Sequence, residues 1–368
     1  MKHSIFQAIT AIAILASCQQ TPKNEFTING SIPGDSLDGK MVLLYPGHSK
    51  KTPIDTSYIK KNTFVFKQVV TNPEYLMVSF IQDKRYESKK FFSEANSTVD
   101  IILNGKESKV SGTPLNDTYS LFIDQLNQIG EEYMTLSSKV RDPKTKDEDR
   151  QIAKKKMDQL MEDYSNITLK TTLDNSKNII GATILPQAMD QLKPQEVINL
   201  IDSMPSYLRD SNNMNKLHKA SENSLRSQEG MPYIDFELQT TEGKSAKLSD
   251  FVAKNKIVVI DFWASWCGPC RRSLPAMKKI YNKFHKKGME IVGVSLDSKK
   301  EAWIKAIKEE GITWPQISDI QGWKCKASKL YGVRGIPSMF IINEDGKIIL
   351  SNTHNVKDVE KKLNELLK

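Results

Sequence analysis

Residues 259–270 read VIDFWASWCGPC and decide the fold of the C-terminal part of this chain. The β-branched and aromatic run at 257–262 predicts a buried strand, and a helix is predicted from the cysteines to about residue 287. Cys267 and Cys270 stand three residues apart at this junction, where a small disulfide ring can close. Strands and helices alternate from here onward, which predicts an α/β fold with a central sheet.

The two cysteines of this junction carry the predicted chemistry. A thiol at the start of a helix meets free N–H groups and the positive end of the helix dipole, and both favour the thiolate. Because the thiolate is the attacking species in disulfide exchange, Cys267 is predicted to be the nucleophile. Cys270, one turn into the helix and less exposed, is predicted to resolve the mixed disulfide. Gly268 and Pro269 are predicted to shape the turn into the helix.

Alternating elements continue to the C terminus. A turn at 343–346 (NEDG) predicts a hairpin. The predicted elements are strand 290–296, helix 300–310, strand 338–342, return strand 347–350 and helix 356–367.

Two segments resemble the thioredoxin superfamily. Residues 259–270 follow the active-site segment of thioredoxins, and residues 331–338 (YGVRGIPS) match the second signature of that family, from a tyrosine to a cis-proline. Residues 232–251 resemble the N-terminal hairpin of the TlpA/ResA-like and peroxiredoxin-like (AhpC/TSA-like) branches. The resemblance implies a thioredoxin fold at 228–368 and a thiol:disulfide oxidoreductase that needs no cofactor.

The resemblance also implies roles for three further residues. Pro337 is the cis-proline beside the disulfide, where Ile336 backbone groups would hold a substrate peptide as an added strand. Asp261 matches the buried aspartate that assists proton transfer to and from the second cysteine, and burial is expected to raise its pKa. Trp266 would flank the exposed thiol. Gly293 stands where thioredoxins have a lysine near that aspartate, so the resemblance does not fix the path of the proton.

The first eighteen residues predict export and a lipid anchor. A positively charged start precedes an apolar run at 5–16, which is too short to span a bilayer and is typical of a signal peptide. Residues 15–18 (LASC) resemble a bacterial lipobox, which implies cleavage after residue 17 and acylation of Cys18. The alternative is an ordinary signal peptide with a chance cysteine. Residues 18–25 are predicted to be a tether, and the protein is expected to face the periplasm, with the outer membrane favoured.

Two further regions are predicted between the tether and the thioredoxin-like domain. Short β-branched and aromatic runs, separated by Gly, Pro, Asn and Asp, predict a small antiparallel β domain at 26–114. From residue 115 the apolar period becomes helical, and a helical hairpin opens a helical region at 115–227. The predicted helices cover residues 115–140, 148–169, 179–189, 194–204 and 213–225.

Composition narrows the class of partners. The 368 residues carry 53 Lys+Arg against 44 Asp+Glu, a formal net charge of +9, and 39% are hydrophobic. These values exclude a polytopic membrane protein, a collagen-like chain and a fully disordered one. No basic motif is interleaved with aromatic residues, so nucleic acid is not an expected partner. The expected partners are exported proteins with cysteines or disulfides, a membrane thiol electron donor, and the bilayer itself.

Several alternatives compete with this interpretation. A zinc site needs four ligands, and the five histidines are scattered, so no metal site is predicted. A thiol peroxidase would need a Pro-x-x-x-(Thr/Ser)-x-x-Cys loop, which the chain lacks. A binding protein, in which the β domain and the hairpin hold an envelope ligand or partner, is the second functional hypothesis. Cys325 is either an incidental thiol or a redox group whose neighbouring lysines could lower its pKa. Three tryptophans, Trp303, Trp314 and Trp323, are predicted to be packing residues.

Overall fold

The structure is a computed structural model that describes residues 24–34, 37–49, 51–82 and 85–367. The predicted signal peptide and Cys18 lie outside the described residues. The chain divides into two compact units, the first reaching Asn175 and including Ile179–Ile184, the second comprising Ser176–Asn178 and the chain from Leu185 onward. Within the described residues, no helix combines the length and the apolar character needed to cross a membrane.

Eight strands form the N-terminal part of the first unit in the described residues. They are β1 (Glu25–Ser31), β2 (Met41–Pro46), β3 (Asp55–Tyr58), β4 (Thr63–Val69), β5 (Tyr75–Gln82), β6 (Arg85–Phe92), β7 (Ser97–Ile102) and β8 (Lys109–Ser111). Two four-stranded sheets result, with the orders β4-β1-β7-β8 and β3-β2-β5-β6. The described pairings are antiparallel except that of β1 with β7, which is parallel.

The two sheets share one hydrophobic core. Phe26 and Ile28 from β1 and Val42 and Leu44 from β2 are fully buried in a single cluster. Alternate residues of β1 point inward and outward, as in a sheet with one solvated face. The predicted β-rich domain is therefore confirmed as a small two-sheet structure.

A long helical hairpin follows the β domain in the first unit. It consists of α1 (Pro114–Arg141) and α2 (Asp147–Asp174), which pack against each other as the sequence predicted. The Asn116 amide fastens α1 to β6, because its Oδ1 accepts the Phe92 N–H at 2.8 Å and its Nδ2 donates to the Phe92 carbonyl at 2.7 Å. Residue 92 is thus the point where the helix and the sheet are joined by two buried hydrogen bonds.

The second unit opens with helices. The division between the two units falls inside α3 (Ile179–Ala188), and three more helices follow before the first strand. These are α4 (Pro194–Asp202), α5 (Ser206–Arg209) and α6 (Asn212–Arg226). The sequence predicted α3, α4 and α6 but not the single turn of α5.

A seven-stranded sheet forms the centre of the second unit, with the order β10-β9-β13-β12-β11-β14-β15. Its strands are β9 (Glu237–Thr240), β10 (Ser245–Lys247), β11 (Ile257–Trp263), β12 (Met289–Ser295), β13 (Gln316–Ser318), β14 (Ser338–Asn343) and β15 (Ile348–Thr353). The accompanying helices are α7 (Leu248–Val252), α8 (Gly268–Phe284), α9 (Lys300–Glu310), α10 (Lys326–Leu330) and α11 (Val356–Leu366).

The central strand explains why the active-site segment decides the fold. Every residue of β11 is buried, which requires layers on both faces and a nearly continuous apolar strand. β11 pairs with β12 in parallel and with β14 in the antiparallel sense. The thioredoxin fold predicted for this part is confirmed. The sequence missed β13, because three residues are too few to show an alternating pattern.

Helix α6 supports the segment that precedes the cis-proline. Asn223 Nδ2 donates to the Lys329 carbonyl at 2.8 Å, and Ser227 Oγ donates to the Tyr331 carbonyl at 2.9 Å. Upstream of α4, Asp190 forms an ion pair with Arg334 at 3.0 Å. The compact unit therefore begins before residue 228, the predicted start of the thioredoxin-like domain.

Gly332→Ala is expected to destabilise the second unit by about 2–4 kcal/mol, since strain and overpacking add. Gly332 has φ +65°, and an added Cβ would lie 2.7 Å from the backbone N of Ser224 on α6. Gly243→Ala is the matched control, because its φ is +81° and nothing lies within 4 Å of an added Cβ. Its expected cost is about 1–2 kcal/mol.

Tryptophan fluorescence during chemical unfolding measures this difference, because all five tryptophans of the chain lie in the second unit. Equal losses of unfolding free energy in the two variants would show that α6 moves to accommodate the added methyl group at no further energetic cost.

Candidate active site

The two predicted active cysteines form a disulfide at the start of α8. Cys267 is the N-cap of the helix, and its Sγ accepts the N–H of Cys270 at 3.1 Å. The sulfur that is predicted to attack therefore lies at the positive end of the helix, where a negative charge is stabilised. In this disulfide form Cys267 is only 4% exposed and Cys270 1% exposed. The prediction of an exposed thiol is thus wrong for the oxidised form.

The second signature lies against the disulfide and partly explains its burial. The peptide bond between Ile336 and Pro337 is cis, as the resemblance implied. The Ile336 carbonyl oxygen lies 3.6 Å from Cys267 Sγ. His354 Nδ1 is hydrogen-bonded to the Pro337 carbonyl. Sequence reasoning treated this histidine as one of several scattered ones, because a contact between the β15–α11 connection and the cis-proline leaves no local signal.

Asp261 occupies the middle of β11. Its side chain is buried, and burial raises its pKa to about 7 from an ordinary value of 3.8. The cause is desolvation of the charged form, which favours the protonated carboxyl. Its partners in register are Gly293 on β12 and Met339 on β14, neither of which carries a charge. The direction expected from the sequence is therefore the one that the structure shows.

A glutamine fills the space above Gly293. The Gln316 side chain lies so close that a Cβ on this glycine would be 2.1 Å from its Nε2. Trp263 Nε1 donates to Gln316 Oε1 at 2.9 Å. Sequence reasoning did not select Gln316, because its strand was not recognised. The position that the resemblance assigns to a lysine is therefore covered from the neighbouring strand.

A buried carboxylate connects the active-site loop to the inserted segment. Asp297 is 1% exposed and accepts hydrogen bonds from Ser265 N at 3.0 Å and Ser295 Oγ at 2.8 Å. Its own carbonyl accepts the N–H of Gly322 at 3.3 Å. Asp297 thereby fixes the backbone just before Trp266. The sequence offered no motif that would have identified it.

Two exposed tryptophans lie close to each other, and one of them, Trp266, directly precedes Cys267 in the chain. Trp266 is 55% exposed and Trp323 is 47% exposed, and their ring centroids lie 6.2 Å apart. Trp303 and Trp314 are buried, as predicted. The packing role predicted for Trp323 is wrong, because the short 3-10 turn at Gly322–Lys324 holds this side chain at the surface.

Cys325 does not match the reactive interpretation. The residue is fully buried, and burial raises the pKa of its thiol to about 11. The expectation that neighbouring lysines lower this pKa is wrong, since the thiol points into the core whereas Lys324 and Lys326 are exposed. In the described part of the chain, no group of three or more His, Cys, Asp or Glu side chains is placed to hold a metal ion.

Comparison with known proteins adds the family. Residues 230–351 match the AhpC/TSA family, and residues 26–119 match a domain of unknown function, DUF4369. Over 134 residues the chain is 33% identical to the thiol-disulfide oxidoreductase ResA of Geobacillus thermodenitrificans, covering 36% of this chain and 74% of that protein. The chain belongs to the ResA-like thiol-disulfide oxidoreductases of the thioredoxin superfamily. The predicted enzyme class is therefore confirmed.

Further relatives each match between a third and two fifths of this chain. The chain is 36% identical to ResA of Bacillus subtilis over 33% of its own length and 65% of that protein's. It is 34% identical to the thioredoxin-like protein YneN of Bacillus subtilis over 39% of this chain and 83% of that protein. A solved thioredoxin domain of a thiol-disulfide oxidoreductase from Bacteroides vulgatus is 30% identical, covering 38% of this chain and 99% of that one, with a TM-score of 0.35.

Proposed function

We propose that this ResA-like protein is a membrane-anchored, periplasm-facing oxidoreductase that exchanges its Cys267–Cys270 disulfide with cysteines of exported proteins, acting as a reductase. The observation that carries the proposal is the disulfide itself. Cys267 Sγ caps α8 and lies against the Ile336 carbonyl, where a substrate strand can be added. Gly268 and Pro269 between the cysteines form the thioredoxin dipeptide, which supports the reducing direction.

The reaction moves two electrons through sulfur. In the reduced enzyme the Cys267 thiolate attacks a substrate disulfide, forming a mixed disulfide and releasing one substrate thiolate. Cys270 then loses its proton to the Asp261 carboxylate and attacks Cys267 Sγ. This step closes the Cys267–Cys270 disulfide and releases the second substrate thiolate, and both released thiolates take up protons. A membrane protein with two thiols returns the enzyme to its reduced form.

The anchor is the part of the proposal that the sequence alone supports. The resemblance of residues 15–18 to a lipobox supports cleavage before Cys18 and acylation of this cysteine. Three acyl chains exceed the two signals needed for stable attachment. The residue after this cysteine, Gln19, favours the outer membrane over the inner one.

Reduction of insulin by the full chain, and its equilibrium with glutathione, test the function and its direction. A reductase is expected to have a potential near thioredoxin's, about −270 mV, and an oxidase one near about −120 mV. The full chain is required, because α6 supports Tyr331 and Lys329 before the cis-proline. Absence of insulin reduction would refute the enzyme proposal, and a potential near the higher value would reverse its direction.

Trp323→Ala is expected to lower kcat/KM for insulin by about tenfold while leaving reduction of a small aromatic disulfide unchanged. Two half-exposed indoles 6.2 Å apart, one of them on the residue before Cys267, offer an apolar surface to substrate side chains. A small disulfide reaches Cys267 without that contact. Ile304→Ala is the control, since this side chain is also exposed but lies on α9. Equal losses for both substrates would contradict a recognition role.

A further inference from the structure

Three neighbouring strands place Asp261, Gly293 and Gln316 in one row. Asp261 on β11 is in register with Gly293 on β12, and Gly293 is in register with Gln316 on β13. Both pairings are parallel, and residues paired in register share a face of the sheet. The middle residue has no side chain. The carboxyl of Asp261 and the amide of Gln316 therefore face each other across about two strand spacings, roughly 10 Å between their Cα atoms.

The indole of Trp263 sets the orientation of this amide. An indole N–H can only donate a hydrogen bond, so the atom that accepts it must be the amide oxygen of Gln316. The Nε2 donors consequently point away from Trp263. Nε2 lies directly above Gly293, 2.1 Å from the place of a Cβ there, with Oε1 2.4 Å from the same point.

The donor is buried and unpaired. Gln316 is 7% exposed, and its Nε2 has no hydrogen-bond acceptor among the residues that the structure describes. Buried amide donors are nearly always paired with protein or ordered water, so this one requires an acceptor. A polar gap wider than a direct hydrogen bond is the place where a bridging water is expected.

Among the residues that the structure describes, those in register with Asp261 offer it no charged partner. Beside it in register stand Gly293 and Met339, which do not titrate. The titratable group of α7, Asp250, accepts the backbone N–H of Lys247 at 3.0 Å in an exposed position. On α8, Cys270 is in the disulfide, and Arg271 is held by Glu310. Burial is the cause of the raised pKa of Asp261, with no contribution from a charged neighbour.

We propose that Gln316 is a positioning residue for Asp261, whose carboxylate accepts a hydrogen bond from Gln316 Nε2 across one water molecule. The donor stabilises the charged carboxylate, which is the form that takes the proton from Cys270 when this thiol attacks Cys267. The inference rests on the proposed exchange reaction for its role. The hydrogen bond itself does not depend on turnover.

The test compares Gln316→Met and Gln316→Glu with the wild type in the full chain. Gln316→Met removes the amide, while Gln316→Glu keeps an oxygen for Trp263 Nε1 and replaces the donor by an acceptor. Both variants are expected to raise the pKa of Asp261 by about 1, a tenfold change in its proton equilibrium. Infrared titration of the buried carboxyl, assigned with Asp261→Asn, measures this pKa without substrate. The pH profile of insulin reduction is expected to shift upward in parallel.

Ser318→Ala is the matched control, because Ser318 is buried two residues further along β13 and donates to the Ser295 carbonyl at 2.8 Å. Loss of this hydrogen bond is expected to lower stability. It is expected to leave unchanged both the titration of Asp261 and the pH profile of insulin reduction. Superimposable carboxyl titrations of the wild type and both Gln316 variants would overturn the proposal. If the wild type did not reduce insulin but the Gln316 variants still shifted the titration of the Asp261 carboxyl, the exchange reaction would be refuted and the hydrogen bond would stand.

Discussion

In the Cys270→Ser variant of the full chain, mixed disulfides with substrate proteins are expected to accumulate on Cys267. Insulin reduction is expected to fall by about 100-fold or more. The first attack needs only the sulfur at the N terminus of α8, which this variant keeps. Resolution needs a second thiol one turn into the helix. Adducts are measured on non-reducing gels as bands that disappear with dithiothreitol.

Two further variants show which sulfur forms the adducts. Cys267→Ser is expected to form none, because Cys270 lies inside α8 and only Cys267 stands at the N-cap, where the helix favours a thiolate. Cys325→Ser in the Cys270→Ser background is expected to leave the adducts unchanged, since burial raises the pKa of that thiol to about 11. Adducts that depend on Cys325, or that persist without Cys267, would contradict the assignment of the nucleophile.

Asp261→Asn is expected to change both the rate of exchange and the pH dependence of stability. The pKa of Asp261 rises from 3.8 to about 7 on burial, so the native state binds more protons than the unfolded state between these values. Its contribution to stability is therefore fully present below pH 4 and is lost as pH rises through 7. Relative to the wild type, the variant should gain about 4 kcal/mol between pH 4 and pH 8.

Urea unfolding of the oxidised proteins, followed by tryptophan fluorescence, measures this difference in the second unit. The difference between the two proteins cancels the titration of every other group. Exchange by the variant is expected to be about 100-fold slower, because it lacks the group that accepts the Cys270 proton. Stability curves that stay parallel from pH 4 to pH 8 would show that the carboxyl is not desolvated.

The sequence predicted the β domain, the helical hairpin and most elements of the thioredoxin fold, because their apolar residues recur with a clear period. The 28-residue helix α1 shows its apolar spacing over many turns. β13 has three residues and shows none. Two of the site residues that were missed, Gln316 and Asp297, are polar residues without a motif. Their importance arises from a register and from hydrogen bonds across strands, which single-sequence patterns do not contain.

Burial was the other property that the sequence could not supply. Trp323 and Cys325 are separated by one residue, yet one is 47% exposed and the other fully buried. The sequence predicted that the tryptophan is a packing residue and that neighbouring lysines could lower the pKa of the cysteine. In the structure the tryptophan is exposed and the cysteine is buried. A short 3-10 turn followed by α10 directs neighbouring side chains to opposite environments.

By itself the sequence determined the sulfur chemistry of this protein. A cysteine pair at a strand-to-helix junction is a local arrangement, and the helix dipole that favours the Cys267 thiolate acts within one turn. Only the tertiary structure decided what surrounds that pair. Ile336, Asp261 and Gln316 come from distant parts of the chain, and the packing of β11, β13 and the cis-proline segment sets their distances and burial. Proton transfer and substrate recognition depend on those distances.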